Sequence, residues 1–397
     1  MLDIKFIREN AELVKDAIRK KHITLDLDEL SKVDAERLVV LGKVEAARAR
    51  QNAVSQEIAK AEPATRAKLI KDMADLKLGF KIEEGNLAMV MKRWQTLMLQ
   101  VPNLPDVSVP EGASEKENQE VWVWGEKPEF TFQPKDHIEL MTNLKLVDFE
   151  RGTKAHGFRG YFLRGAGAEL SWALINYARE FFGQKNFTPF FAPAIIKREY
   201  FYGTGHLPRE ADDLYKTQDD NYLSGTAEVP MMAYHADEIL TAEELPKRYL
   251  AFSPCFRREA GSYGRATKGL IRVHEFFKLE QLILGRADHA ESAALHEEIN
   301  RNYEEFLESL QLSYRRLLIC GGDLSLSKVK QYDTEVWFPA SAVYREVSSA
   351  SYYHDFQTRR FNIRYRDPTG KTQFTHSLNS TAVATPRLLA ALVENYQ

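Results

Sequence analysis

Residues 255–280, CFRREAGSYGRATKGLIRVHEFFKLE, combine side chains that could bind an anionic ligand. Basic residues surround a glycine-rich turn, and the carboxylates Glu259 and Glu280 stand near the two ends of the segment. An arginine forms paired hydrogen bonds with phosphate or carboxylate, an aromatic ring stacks on a nucleobase, and a carboxylate accepts hydrogen bonds from an amino group. Together these residue types predict a nucleotide-binding site.

The pattern within the segment predicts a β-hairpin. Alternate residues of a strand share a face, so Arg257 and Glu259 would lie together on the first strand, and Arg272, His274 and Phe276 on the second. The turn EAGSYGRATKG would close over phosphates or contact the end of an RNA. The alternative is a hairpin that carries solvated charges, and this segment alone leaves it open.

The whole chain limits the classes of protein that could contain this site. Its 397 residues are enough for two or three domains, and 54 Lys and Arg against 57 Asp and Glu confine anion binding to local clusters. Cys255 and Cys320 are too few for a disulfide framework and suit a reducing compartment. The charged N-terminus has no signal-peptide core, and no apolar run reaches about 18 residues. We therefore expect a cytoplasmic protein without a membrane segment.

Several motifs that would indicate other enzyme classes are absent from the sequence. There is no G-x-x-x-x-G-K-S/T, no H-E-x-x-H and no G-x-S-x-G, and RGAGAEL lacks the third glycine of a dinucleotide fingerprint. A P-loop ATPase, a zinc protease and an α/β-hydrolase are therefore disfavoured.

The first hundred residues contain the pattern of two long helices. Apolar residues recur at spacings of three and four over residues 30–58 and again over residues 69–101. Two such helices, joined by a short turn that contains Pro63, must pair antiparallel as a coiled-coil arm. Residues 1–29 predict one further amphipathic helix, and the prolines of residues 101–112 predict a linker.

The remaining residues predict an α+β fold with a mainly antiparallel sheet. We expect helices at residues 167–182, 296–312 and 385–396. Residues 188–196 form an apolar strand whose prolines favour an edge or interface position. Short strands are also expected within residues 221–231 and 333–367.

Residues 255–280 resemble motif 2 of the class II aminoacyl-tRNA synthetases, in the form found in seryl-tRNA synthetases. The resemblance extends over essentially the whole chain, and the other segments that carry it are SGTAEV (224–229), TEVWFPASAVYREVSSAS (334–351), DFQTRRFNIRY (355–365) and the motif 3-like HSLNSTAVATPRLLAALVENYQ (376–397). It implies an N-terminal helical tRNA-binding domain at residues 1–100, with the arm at about 30–100, a linker at 101–115 and a class II catalytic domain at 116–397.

The resemblance also implies an activity and its ligands. The expected reaction is ATP-dependent attachment of L-serine to tRNA(Ser), and also to tRNA(Sec), through a seryl-adenylate, with Mg²⁺ as cofactor. Residues 166–196 are similar to motif 1, which implies a homodimer. The arm would bind the long variable arm of the tRNA through its shape and backbone.

Roles for individual residues follow from the same resemblance. Arg257 would bridge the serine carboxylate and the α-phosphate of ATP, and Glu259 would bind the adenine amino group. Phe276 would stack on adenine, while Arg272 and Arg387 would hold the γ-phosphate. Arg257 and Arg387 are the expected catalytic residues. The other residues expected to bind ATP are Arg258, Val273, Glu346, Val347, Ser348 and Ser349.

Two further sets of residues are implied for the metal and for serine. Glu346 and Ser349 match magnesium-binding positions, since Mg²⁺ prefers hard oxygen ligands, and Ser348 is an alternative ligand. Glu280 and Thr381 would hold the serine hydroxyl, and a site built to bind a hydroxyl group discriminates strongly against alanine. The residues expected elsewhere around the serine are Thr226, Ala227, Glu228, Arg257 and Asn379.

Motif 3 departs from the pattern of many bacterial relatives, because NSTAVATPR lacks glycines between Asn379 and Arg387. This places its backbone conformation in question, although Asn379, Thr381 and Arg387 themselves are present.

Other interpretations remain open from the sequence alone. Glu228 and Glu280 could be sheet-surface carboxylates paired with arginines, and Ser349 could be an ordinary strand hydroxyl. The chain could be a catalytically inactive paralogue that binds RNA or a protein, or a class II synthetase for another amino acid. Basic residues off the seam of the arm could be solvated rather than bound to RNA; among them are Arg48, Arg50, Lys60, Arg66, Lys68, Lys71 and Lys77.

Overall fold

The computed structural model describes residues 1–260 and 268–397. The predicted closure of the glycine-rich turn over phosphates concerns mainly residues 261–267, which lie outside the described residues. The chain forms two compact units, one of residues 2–19 and 23–102 and the other of residues 1, 20–22 and 103–397.

The first unit is helical. Its helices are α1 (Ile4–Glu9), α2 (Ala11–Lys20), α3 (Leu27–Lys60) and α4 (Pro63–Met98). The prediction of a single helix within residues 1–29 is wrong, because Asn10 leaves the helical conformation with φ −129° and ψ 40°. Its side-chain amide donates to the carbonyl of Phe6 at 3.0 Å and so ends α1.

The long antiparallel pair of helices predicted for the arm is confirmed. The Asp26 side chain caps α3 by accepting a hydrogen bond from the Glu29 amide at 2.9 Å, and Pro63 stands at the start of α4, where a missing N–H costs nothing. The Gln51 amide reaches the carbonyl of Leu76 on the facing helix at 3.3 Å. Because α3 and α4 bury their apolar seam against each other, the arm has its own small core.

The second unit is built on an eight-stranded sheet, which confirms the predicted α+β class. The strand order is β1-β11-β12-β13-β16-β10-β9-β4, and all neighbours are antiparallel except β4 and β9. These strands are β1 (Gln119–Trp124), β4 (Thr188–Phe191), β9 (Lys247–Phe256), β10 (Glu275–Gly285), β11 (Tyr314–Leu318), β12 (Lys330–Phe338), β13 (Val343–Tyr352) and β16 (His376–Ala384). As predicted, the strand that contains Pro189 lies at an edge.

Short strands form three smaller sheets around the large one. They are β2 (Val147–Asp148), β3 (Phe162–Leu163), β5 (Ile195–Lys197), β6 (Tyr215–Lys216), β7 (Asn221–Leu223), β8 (Ile239–Thr241), β14 (Arg364–Arg366) and β15 (Thr372–Phe374). The helices of this unit are α5 (His137–Asn143), α6 (Phe149–His156), α7 (Ala166–Gly183), α8 (Arg198–Thr204), α9 (Glu228–Tyr234), α10 (His289–Ser309), α11 (Phe356–Phe361) and α12 (Thr385–Asn395).

The helices predicted over residues 167–182, 296–312 and 385–396 are confirmed as α7, α10 and α12. Their apolar side chains pack with those of the large sheet into one core that includes Phe182, Phe306 and Leu389. No helix of the described residues is long and apolar enough to cross a membrane.

The strands predicted within residues 221–231 and 333–367 are present, but each segment also contains a helix, α9 and α11 respectively, where a strand was expected. In α9, Pro230 lacks the amide that a central strand needs but is tolerated in the first turn of a helix. Val229, Met231 and Met232 are all buried, whereas a strand with one exposed face would bury only alternate residues. In α11, four of six residues are buried, and Asn362 ends the helix in the left-handed conformation with φ 55°.

The proline-rich segment that follows α4 is held by hydrogen bonds at Asn103 and Asp106. The buried Asn103 amide donates to the carbonyls of Ser327 at 3.0 Å and Tyr353 at 2.7 Å. Asp106 accepts a hydrogen bond from the hydroxyl of Tyr352 at 2.9 Å. This part of the expected linker is therefore held by the second unit.

Candidate active site

A cleft of about 640 Å³ opens over the central strands of the large sheet. Such a volume is typical of sites for small molecules and cofactors. The residues expected to bind ATP that line it are Arg257, Glu259, Arg272, Val273, Phe276, Glu346, Val347, Ser349 and Arg387. The residues expected to bind serine that line it are Arg257, Thr226, Glu228, Glu280, Asn379 and Thr381.

Three of the residues expected to bind ATP or serine do not line this cleft. Ala227 is fully buried immediately before α9. The Ser348 hydroxyl points into the protein and donates to the carbonyl of Thr381 at 3.0 Å, so Ser349 is the serine whose side chain reaches the cleft. Arg258 is held at its backbone, where its amide donates to the carbonyl of Asp213 at 2.8 Å.

The hairpin differs from the strand pair predicted for it. β9 ends at Phe256 and β10 begins at Glu275, so the alternation argument is wrong for Arg257, Glu259 and the return-strand residues Arg272 and His274. Glu259 adopts a left-handed conformation with φ 54°, which takes it out of the strand ladder. Its carboxylate nevertheless meets Arg272, whose Nη1 donates to Oε2 at 2.7 Å.

Arg257 belongs to both groups of cleft residues. Its guanidinium carbon is 5.4 Å from the centroid of the Phe276 ring, and its Nε donates to the carbonyl of Gly225 at 3.3 Å. A side chain at position 225 would crowd Arg257, since an added Cβ would lie 3.1 Å from Cγ of the arginine. Glycine at this position therefore lets the arginine lie against the backbone.

Glu280 lies in a buried polar cluster in the wall of the cleft. It is 3% exposed, and its Oε2 lies 2.7 Å from Nζ of Lys278 and accepts a hydrogen bond from the Thr226 hydroxyl. Thr381 is its direct partner across the β10–β16 ladder. Sequence reasoning missed Lys278, although its position two residues from both Phe276 and Glu280 places all three on one face of β10.

Glu228 is the second carboxylate of this region. It is buried and accepts a hydrogen bond from the side-chain amide of Gln357 at 2.5 Å, and Gln357 accepts in turn from the Ser377 hydroxyl at 2.8 Å. The alternative in which Glu228 and Glu280 are sheet-surface carboxylates paired with arginines is wrong for both residues.

The opposite end of the cleft combines arginine and carboxylate. Nη1 of Arg387 donates to the backbone carbonyl of Glu346 at 2.6 Å and lies 3.4 Å from its Oε2. On β12, Asp333 faces Ser349 and Glu335 faces Glu346 across the ladder, and both acidic residues line the cleft. Burial and the nearby charge of Glu346 raise the pKa of Asp333 well above its usual range.

Asp333 and Glu335 were also missed in the sequence. The available signal was their alternation in DTEVW, which puts both on one face of a strand. Arg159 was missed too, because it lies far away in the sequence and only the fold brings its buried guanidinium to 3.9 Å from the Glu259 carboxylate.

Comparison with known proteins defines the class first. Residues 215–396 match the family model of the tRNA synthetase class II core domain (G, H, P, S and T), and residues 1–105 match that of the seryl-tRNA synthetase N-terminal domain. The core fold and its cleft are therefore those of a class II aminoacyl-tRNA synthetase, with the mainly antiparallel sheet that the resemblance implied.

Full-length relatives narrow the class to one family. The serine–tRNA ligase of Deinococcus radiodurans is 43% identical over 398 residues, and the match covers 100% of this chain and 94% of the relative. The crystal structure of seryl-tRNA synthetase from Pyrococcus horikoshii complexed with ATP has a TM-score of 0.87 at 36% identity, with 100% of this chain and 94% of that chain covered. The cytoplasmic serine–tRNA ligase of Naegleria fowleri in complex with AMP has a TM-score of 0.85 at 29% identity and the same coverage.

The chain belongs to the seryl-tRNA synthetase family, and it is an enzyme that joins serine to tRNA. The alternatives of a synthetase for another amino acid and of an inactive paralogue are wrong.

Proposed function

We propose that this enzyme acts in two steps through a seryl-adenylate. In the first step a carboxylate oxygen of serine attacks the α-phosphorus of ATP, forming a P–O bond as the bond to the β-phosphate breaks and pyrophosphate leaves. In the second step the terminal ribose hydroxyl of tRNA attacks the serine carbonyl carbon, loses its proton and displaces AMP. The observation that carries this proposal is that one cleft contains Arg257, the Phe276 ring 5.4 Å from its guanidinium carbon, and the Glu280 cluster.

Neither step requires a nucleophile from the protein. Catalysis then depends on placing the reacting atoms in line and on positive charge where the transition state is negative. Arg257 and Arg387 are the residues that we assign to this role, with Arg272 as a further phosphate ligand. Adenine would stack on Phe276 with its amino group at Glu259. Two related enzymes have been solved in complex with ATP and with AMP, which supports a nucleotide as the ligand of the cleft.

The acidic end of the cleft fits Mg²⁺. Burial and, after it, the nearby carboxylate of Glu346 raise the pKa of Asp333, and Ser349 adds a hydroxyl. Within residues 1–260 and 268–397 no three His, Cys, Asp or Glu side chains converge as a metal cluster, so phosphate oxygens would have to complete the coordination. Glu346 and Ser349 would hold the ion, which would neutralise charge on the leaving pyrophosphate.

The other end of the cleft would select serine. Glu280 and Thr381 face each other across the ladder and would bind the hydroxyl, while Glu228 supplies a negative charge for the α-ammonium group. Asn379 completes this wall and accepts a hydrogen bond from the Tyr353 hydroxyl at 3.2 Å.

We further propose that the chain consists of a helical tRNA-binding domain at residues 1–100, a linker at 101–115 and a catalytic domain at 116–397. The arm would be the tRNA-binding element. The seven basic residues of the arm named in the sequence analysis have exposed side chains, where phosphates could reach them. The substrates would be tRNA(Ser) and tRNA(Sec), and the site of action the cytoplasm.

A homodimer is the proposed assembly. Trp172 on α7, Phe191 on β4 and Ile195 on β5 are 57%, 88% and 61% exposed, and all three lie within the motif 1-like residues 166–196. Large apolar side chains exposed within one segment are typical of an interface, and a two-fold axis is the commonest arrangement.

Serine-dependent exchange of pyrophosphate into ATP tests the first step directly. We expect exchange with serine and Mg²⁺ in the absence of tRNA, and little with threonine, alanine or cysteine. Absence of exchange with serine would contradict the adenylate and the residue roles assigned above.

A further inference from the structure

Lys278 is a buried charged residue to which the proposed function assigns no role. Its side chain is 8% exposed and that of Glu280 is 4% exposed, and the two charged groups are 2.7 Å apart. Lysine is seldom buried to this extent unless it is paired. The partner here is the carboxylate to which the proposed function assigns the serine hydroxyl.

The two carboxylate oxygens of Glu280 differ in their contacts. Lys278 and Thr226 both contact Oε2, and Nζ of Lys278 also lies 3.4 Å from the Thr226 hydroxyl. Within the described part of the chain, Oε1 has no hydrogen bond or ion pair, and Glu280 lines the cleft. The carboxylate is thus fixed through one oxygen while the other is free to accept a hydrogen bond from a ligand.

We propose that Lys278 is a positioning residue for serine selection, an inference that rests on the proposed function. Its ammonium group balances the charge of a nearly buried carboxylate, which would otherwise take up a proton or turn towards water. With Thr226 it holds Oε2 so that Oε1 faces the substrate hydroxyl. Selectivity for serine over alanine therefore depends on Lys278, although Lys278 itself does not contact the hydroxyl.

The test is pyrophosphate exchange with serine and with alanine by the full-length enzyme and its Lys278→Met variant. The variant is expected to raise the KM for serine by roughly 10- to 100-fold, the effect of leaving a buried polar group without its partner. The KM for ATP and kcat/KM for alanine should stay within about twofold, since alanine makes no hydrogen bond to Glu280. Selectivity for serine over alanine therefore falls by the same factor as the serine kcat/KM.

Two further variants separate positioning from folding. Lys278→Arg keeps the charge and should recover part of the serine KM. In a double-mutant cycle, Lys278→Met added to Glu280→Gln should cause no further loss of serine selectivity, because the lysine acts through the carboxylate. Should Lys278→Met not fold, Lys278→Gln, which retains a donor without the charge, should give a smaller loss that is again specific to serine.

The outcomes distinguish this inference from the function on which it rests. Equal losses with serine, alanine and ATP, or full selectivity in the folded neutral variants, would overturn the role of Lys278 alone. Failure of the unmodified enzyme to prefer serine would overturn the proposed site as well.

Discussion

Arg387 at the start of α12 is tied to Glu346 on β13 through both the backbone carbonyl and the carboxylate of the glutamate. Arg387 of motif 3 and the expected metal ligand Glu346 are therefore held together before any substrate binds. Arg387 Nε also donates to the carbonyl of Ile271 at 3.3 Å, which links the Arg387–Glu346 pair to the return segment of the hairpin.

Arg387→Ala is expected to lower kcat for serine-dependent exchange by at least about two orders of magnitude, because a cation is lost where charge develops. Arg345→Ala, on the same strand as Glu346 but outside the cleft lining, is the matched control. Near-normal turnover of the Arg387 variant would remove this arginine from the mechanism.

Arg257→Ala should reduce adenylate formation by a similar factor, at least about a hundredfold. Arg257→Lys should recover only part of it, since an ammonium group cannot form the paired hydrogen bonds of a guanidinium. Single-turnover measurement of adenylate formation would separate this effect from changes in binding. An unchanged rate would contradict the assignment of Arg257 to the reacting phosphate.

Removal of residues 31–99, with the helix ends joined by a short linker, should leave serine activation nearly intact and abolish or greatly weaken serylation of tRNA. The reason is that α3 and α4 bury their seam against each other and carry the basic residues. Binding of tRNA to the intact enzyme should also weaken steeply with added salt, as phosphate contacts release counterions. Normal kcat/KM for tRNA in the armless variant would show that the arm does not bind the substrate.

The proposed dimer predicts that Phe191→Glu produces a monomer, because the charge would have to be buried in the interface. Light scattering reports the mass, and thermal unfolding shows whether the monomer is folded. The replacement of Val107, which is 98% exposed and lies outside residues 166–196, by glutamate should leave the dimer intact. An unmodified enzyme that is monomeric and fully active would contradict the proposal.

The stability of the second unit should fall in mildly acidic solution. Burial lowers the pKa of His296 to about 4, and its ring stacks on Tyr332 while Nε2 donates to the carbonyl of Ala350 at 2.9 Å. The unfolded chain takes up this proton near pH 6.5 and the folded chain only near pH 4, so the stabilisation is complete above about 6.5 and is lost as the pH falls towards 4.

The titration of His296 alone is expected to change the free energy of unfolding by about 3 kcal/mol at most over this pH range. The free energy of unfolding of wild type and His296→Gln, measured by urea denaturation between these pH values, should converge as the pH falls. Parallel pH profiles would show that His296 does not cause the loss.

The sequence was informative wherever a local pattern determined the structure. The seam of the arm predicts α3 and α4, and the alternation around Phe276 and Glu280 predicts the strand that carries both. Residues named through the family resemblance reach one cleft because their motifs lie on adjacent strands. By contrast, α9 and α11 are too short to show a helical period, and their burial comes from the surrounding fold.

The remaining differences arise from tertiary contacts that a single sequence does not contain. Lys278 stands between apolar residues in the sequence, a pattern that predicts a solvent-exposed side chain on a strand. The fold instead buries this side chain against Glu280. Glu259 leaves the strand ladder in a left-handed conformation where the carboxylate meets Arg272, and glutamate is not a residue that favours this conformation. Arg159 reaches the same carboxylate only through the fold.

Asn103 has a consequence for how the two parts of such an enzyme can be recombined. Its amide fixes the chain to the carbonyl of Tyr353, the residue whose hydroxyl binds Asn379 in the wall of the cleft. Residues added or removed before Asn103 change the length of chain leading to it but not the hydrogen bonds that it makes. Variants whose arm differs in length are therefore expected to keep the hydrogen bonds that link Asn103 through Tyr353 to Asn379.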